Sequence, residues 1–190
     1  MREVNKFENK IKKMYPSNRL CEYITGLRLD DSRLGERIME DRNIIRERYG
    51  LWPEEKLKNE SPAELEKWVE GRLKKVGYRL RPGLERQKYF DENDVMAVTN
   101  IENKVVYQSL RKDGDSKKIM LEHELIHVLQ GENTPIEGRE YEAYIGTVNK
   151  SILEEMIREG SLNILFMIMA RNIRNYYKEA GEVAPWDKIE

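Results

Sequence analysis

Residues 114–130 read Gly114-Asp-Ser-Lys-Lys-Ile-Met-Leu-Glu-His-Glu-Leu-Ile-His-Val-Leu-Gln130, with Asp113 before them and Gly131 after. Asp113 to Ser116 has the chemistry of a helix start, and Gly131 is the residue type that ends one. Ile119, Met120, Ile126 and Leu129 recur at helical spacing and, with Leu125, form the apolar face that anchors this helix in a core. His123 and His127 stand four residues apart. That spacing puts both imidazoles on one helical face, one turn apart, where they can reach a single metal ion. Glu124 lies beside that face. A carboxylate there can take a proton from a metal-bound water and return it to a leaving amine.

The chain has two histidines, and both lie in this pattern. Two histidines placed at random fall four apart about once in a hundred trials, and with Glu required between them the coincidence is on the order of one in seven hundred. No third histidine exists, so a third ligand must be a carboxylate. Residues 131–138 turn the chain, and Arg139-Glu-Tyr-Glu-Ala-Tyr144 opens the next helix. Glu140 and Glu142 are both candidates. Two positions apart on a helix they point about 200° apart, so only one can face the metal.

Upstream the period changes. Val95 to Thr99 and Lys104 to Gln108 are β-rich runs joined by the turn chemistry of Asn100-Ile101-Glu102-Asn103, which predicts a hairpin, with a further strand around Tyr78 to Leu80. Earlier still the chain reads as helices. Asp31-Ser32 caps one through about Tyr49, carrying Leu34, Ile38, Ile44 and Ile45 inward, with Gly50 past its end. Ser61-Pro62-Ala63-Glu64 starts another with a Ser cap, Pro at the first helical position and an acid three residues on. Leu65, Trp68, Val69, Leu73 and Val76 continue it to Gly77. Downstream, one helix runs from near Gly138 to Glu159, and a last one follows Ser161 to about Lys178. The apolar run Ile164 to Ala170 is too short to span a membrane, which takes about 20 residues, and reads as buried core. No internal repeat or low-complexity stretch interrupts these elements.

The 190 residues carry 34 basic and 35 acidic side chains, a formal net charge of -1. So even a balance argues against a nucleic-acid binder working through a positive field, and no helix-turn-helix with a basic recognition face is present. The single cysteine, Cys21, excludes an intramolecular disulfide framework and a Cys-rich zinc site. The start of the chain is charged and lacks the apolar core of a signal peptide, so a cytoplasmic protein is expected.

His-Glu-x-x-His followed by a helical Glu resembles the signature of the gluzincin metallopeptidases. The stretch from Arg139 to Tyr144 is similar to the Glu-x-x-Ala-Asp motif of the CAAX-protease-like membrane branch and its small soluble relatives. In that motif the ligand lies three residues before the Ala, which is Glu140 here, and the Asp of the pattern is replaced by Tyr144. His127-Val-Leu-Gln130 resembles the His-x-x-Gln ending of the small soluble members. The likeness runs from about residue 94 to about residue 150, roughly a third of the chain.

The elements read along the chain make an α+β, mostly helical fold with a small antiparallel hairpin beside the His-Glu-x-x-His helix: an N-terminal helical segment over residues 1–77 and, with the resemblance, a zincin-like core with C-terminal helices over 78–190, together one compact unit. The resemblance implies Zn2+ held by His123, His127 and Glu140, with manganese or cobalt able to take the same ligands. Glu124 would then activate a metal-bound water to hydrolyse a peptide or protein substrate whose backbone pairs with an edge strand. The additional oxyanion-stabilising His of thermolysin-like members has no counterpart, which leaves Tyr107, Tyr141, Tyr144 or Arg139 as donors. Cys21 reads as an incidental thiol, and Glu182 to Glu190 as a surface end. The alternative function is a regulatory module that keeps the gluzincin scaffold without hydrolysis and binds one partner, such as a transcriptional repressor, through the helices between Asp31 and Val76.

Overall fold

The computed structural model describes residues 34–93, 96–110, 114–130, 134 and 136–182. Among the described residues the chain is mostly helical, with a small sheet, as the periodicity predicts. The order is α1 (Leu34–Arg48), α2 (Glu54–Asn59), α3 (Pro62–Lys75), β1 (Arg79–Pro82), a 3-10 turn (Leu84–Arg86), α4 (Gln87–Asn93), β2 (Ala97–Asn100), β3 (Val105–Gln108), α5 (Gly114–Leu129), α6 (Ile136–Thr147), α7 (Lys150–Glu159) and α8 (Leu162–Glu179). The chain divides into two compact units, residues 46–132 and residues 1–45 with 133–190.

In the unit of residues 46–132, α3 begins with the expected capping box. Ser61 Oγ accepts from the Glu64 N–H, and the Glu64 carboxylate accepts from the Ser61 N–H at 3.1 Å. Leu65, Val69 and Leu73 are buried along one stripe, and α3 packs on α5, whose Met120, Leu121, Leu125 and Ile126 are buried in turn. Each such side chain contributes about 1.5–3 kcal/mol by leaving water. Val76, expected on the same stripe, is exposed because the helix has ended before it.

The hairpin forms as read: β2 and β3 pair antiparallel, with Ala97 opposite Gln108 and Asn100 opposite Val105. Asn100 Oδ1 accepts from the Asn103 N–H at 2.8 Å, the local bond that makes asparagine a turn residue. The third strand alters the topology. β1 joins β3 in parallel, Arg79 opposite Val105, so the sheet has the order β1-β3-β2 and is mixed. A parallel neighbour needs a crossover, and the 3-10 turn and α4 supply part of it. β3 is central and mostly buried; β2 is an edge, and it packs beside α5.

A buried ion pair locks this unit. Glu122 of α5 is 0% exposed, and Arg46 Nη1 donates to its Oε2 at 2.9 Å. The same guanidinium donates to the Trp52 carbonyl and lies 3.5 Å from Glu54 Oε1. Lys118 reaches from α5 to the Leu57 carbonyl of α2 at 2.8 Å.

In the second unit, described over residues 34–45, 134 and 136–182, α8 packs on α6 and α7. Two expectations change here. The long helix expected from near Gly138 to Glu159 is two helices, because Asn149 caps a new start: its Oδ1 accepts from the Ser151 N–H at 2.9 Å. The Val148 carbonyl just before it is satisfied by Arg42 Nε of α1 at 3.0 Å. The apolar run of α8 is core on one side only. Leu165, Phe166, Met169 and Ala170 are buried, while Ile164, Met167 and Ile168 face solvent, since packing on one side covers one helical stripe.

On α1, Leu34, Ile38 and Ile45 point inward as expected, but Ile44 is exposed. Gly35 lets α7 approach closely: a Cβ there would stand 2.3 Å from Ile157 Cγ2. The cap at Asp31-Ser32 lies outside the described residues. No helix among the described residues is long and apolar enough to cross a membrane.

Removing Glu122 takes from the buried Arg46 guanidinium its closest carboxylate. Glu122→Leu is expected to lose about 3–5 kcal/mol in urea unfolding, and Arg46→Met with Glu122→Leu to regain most of it. A double variant no more stable than Glu122→Leu would show that the pair does not act as a unit.

Candidate metal centre

Helix α5 delivers the two imidazoles to one face, as the four-residue spacing requires. His123 Nε2 and His127 Nε2 lie 3.0 Å apart, with the rings nearly perpendicular at 80°. Both side chains are half-buried. On its far side, His127 Nδ1 lies 3.0 Å from Gln130 Oε1.

Glu124, between them in sequence, is buried. Thr99 Oγ1 of the edge strand β2 donates to Glu124 Oε2 at 2.5 Å. Among the described residues Oε1 of this carboxylate makes no hydrogen bond. Thr99 reaches it because strand side chains alternate: Ala97, two residues earlier, is on the same face and is buried. That alternation is visible in Val95 to Thr99, but which face meets α5 is not.

The donor set can be tested against zinc. Tetrahedral zinc with nitrogen ligands at 2.0–2.1 Å sets two such nitrogens roughly 3.3 Å apart. The 3.0 Å between the Nε2 atoms is within a few tenths of an ångström of that spacing. On α5 itself, His123 and His127 each offer one ring nitrogen to a metal ion. Neutral imidazoles suit zinc.

In its own unit, α6 separates Glu140 from Glu142 as helix geometry demands. Glu140 is half-buried and Glu142 fully buried, and burial pushes the Glu142 carboxyl up to about 7. Tyr141 between them is buried, and its hydroxyl donates to Asp41 Oδ2 at 2.7 Å. Burial and the adjacent Asp41 hold that phenol well above its ordinary range. Tyr141 is therefore a packed core tyrosine and not an oxyanion donor.

Tyr144 Oη accepts from Asn172 Nδ2 at 2.6 Å, Arg139 Nε donates to the Thr134 carbonyl at 3.0 Å, and Arg86 lies 4.7 Å from the centre of the Tyr107 ring. Buried Glu137 accepts from the Tyr177 hydroxyl at 2.7 Å. Cys21 and residues 183–190 lie outside the described residues.

The buried Glu142 carboxyl has a stability signature. It holds its proton up to about pH 7 in the folded chain, against an ordinary value of 4.5. Between those values the folded state binds more protons than the unfolded one, so raising the pH lowers stability until the group is ionised in both. In metal-free protein, Glu142→Gln should gain stability over the wild type as the pH rises from about 5 to about 8, read by urea unfolding. A gap that stays constant over that range would refute the desolvation argument. Compared with protein-family models, with curated proteins and with solved structures, the chain matches none.

Proposed function

We propose that the chain is a zinc-dependent metallopeptidase of gluzincin type, with His123, His127 and Glu140 as metal ligands and Glu124 as the general base and acid that hydrolyses a peptide or protein substrate. The observation that carries this reading is the pair of Nε2 atoms 3.0 Å apart with a buried, hydrogen-bonded carboxylate on the residue between them. Two histidines kept only for packing would have no reason to aim the same ring nitrogen at one point. A purely structural zinc site would have no use for Glu124 held beside it.

When bound, zinc supplies Lewis acidity toward a water and toward the scissile carbonyl. The remaining work falls to this chain. Thr99 holds Oε2 of Glu124, which fixes the carboxylate plane and leaves Oε1 to take the proton of the attacking water. The same carboxyl then gives that proton to the departing amine nitrogen as the C–N bond breaks. The carboxylate returns to its starting state, so one residue serves as base and then as acid. On the same reading the protein works in the cytosol, where a lone cysteine needs no disulfide partner.

Metal analysis of the purified protein tests the ligand set. The wild type should carry one zinc per chain, lost in His123→Ala and Glu140→Ala and kept in Glu142→Ala. Glu124→Gln should keep the metal and lose at least about a hundredfold in hydrolysis of a mixed peptide substrate. A folded wild type that stays metal-free after zinc is added back would overturn the reading. So would full activity in Glu124→Gln.

A further inference from the structure

We infer that Gln130 is a positioning residue that sets the tautomer of His127 and so keeps the His127 Nε2 lone pair directed at the metal position. The inference rests on the metal-binding reading above. A neutral imidazole carries one N–H, and its two nitrogens compete for it. Gln130 Oε1 stands 3.0 Å from His127 Nδ1, and a carboxamide oxygen accepts without donating. The proton of His127 therefore sits on Nδ1, and its Nε2 keeps a lone pair.

That lone pair faces His123 Nε2 at 3.0 Å. It is thereby directed at the point where the two imidazoles can share one ion.

The local fold makes the arrangement firm. Gln130 is the residue after the last of α5, yet its N–H still bonds to the Ile126 carbonyl at 2.9 Å, so the helical path carries through it. That puts its side chain one turn beyond His127, three residues on. The side chain is buried, so water does not compete strongly for the Nδ1 proton. A group that orients a ligating imidazole in this way typically changes metal affinity by 10- to 100-fold when it is removed.

The chain's two histidines make the test direct. Long-range 15N correlation spectra of the metal-free protein at about pH 8, where imidazoles are ordinarily neutral, report the tautomer of each ring, and His123→Gln assigns them. Zinc affinity is read separately by competition with a chromophoric chelator. In the wild type His127 should be the Nδ1–H tautomer. Gln130→Met, similar in size and without an acceptor of comparable strength, should shift His127 toward Nε2–H and weaken zinc binding about 10- to 100-fold. Gln130→Glu keeps an oxygen acceptor and should retain both the tautomer and most of the affinity, which separates positioning from packing. A wild-type His127 found as Nε2–H overturns the inference. So does a Gln130→Met protein that binds zinc as tightly as the wild type, an outcome that leaves the metal-binding reading standing. A wild type that takes up no zinc overturns that reading and the inference together.

Discussion

Glu122 has no contact with solvent, and its charge is met by Arg46 at the end of α1. Desolvating two charges makes such a pair a weak source of net stability, but breaking it is costly, and that asymmetry gives it a role as a registry device. Successive residues on a helix diverge by about 100°. Glu122, His123 and Glu124 therefore face three different surroundings: the guanidinium of Arg46, the partner imidazole and the hydroxyl of Thr99. A rotation of α5 that took Glu122 off Arg46 would also turn His123 and Glu124 away from their positions. The buried pair thus fixes the angular setting of α5, and the geometry of the histidines follows from it.

The sheet supplies the second constraint on that helix. β3 lies between its two neighbours, so its backbone groups are used on both sides, and β2 is left at the edge beside α5. Edge strands carry the risk of pairing with other chains, and keeping this one to four residues limits it. The same placement lets a single threonine hold one oxygen of Glu124. A short strand with a hairpin behind it is a stiffer mount for such a bond than a loop would be.

The features that depend on nearby residues were legible in the sequence. The capping box at Ser61, the asparagine turn at Asn100, the helix carrying His123 and His127, and the separation of Glu140 from Glu142 all follow from spacing within a few positions. What the sequence did not reveal depends on partners far along the chain. The parallel pairing of β1 with β3 comes after a crossover, and the exposed stripe of α8 reflects packing on one side alone. The bond from Thr99 to Glu124 joins residues 25 apart and depends on which face of a strand meets α5. Asn149 was readable in principle, since a capping asparagine inside an apparently continuous helix is a break signal. The apolar residues on both sides of it masked the break.

The corner at Val148 and Asn149 has a dynamic consequence. Arg42, buried on α1, spends its Nε on the Val148 carbonyl, while Asn149 caps the helix that follows. Fraying the end of α6 by itself would cost a buried guanidinium one of its acceptors and expose an unpaired carbonyl. Local opening at that corner is therefore penalised unless α1 loosens with it. Amide protons of α1 near Arg42 and those at the α6–α7 corner should then exchange with solvent through one shared opening event, making a cooperative unit of segments more than 100 residues apart.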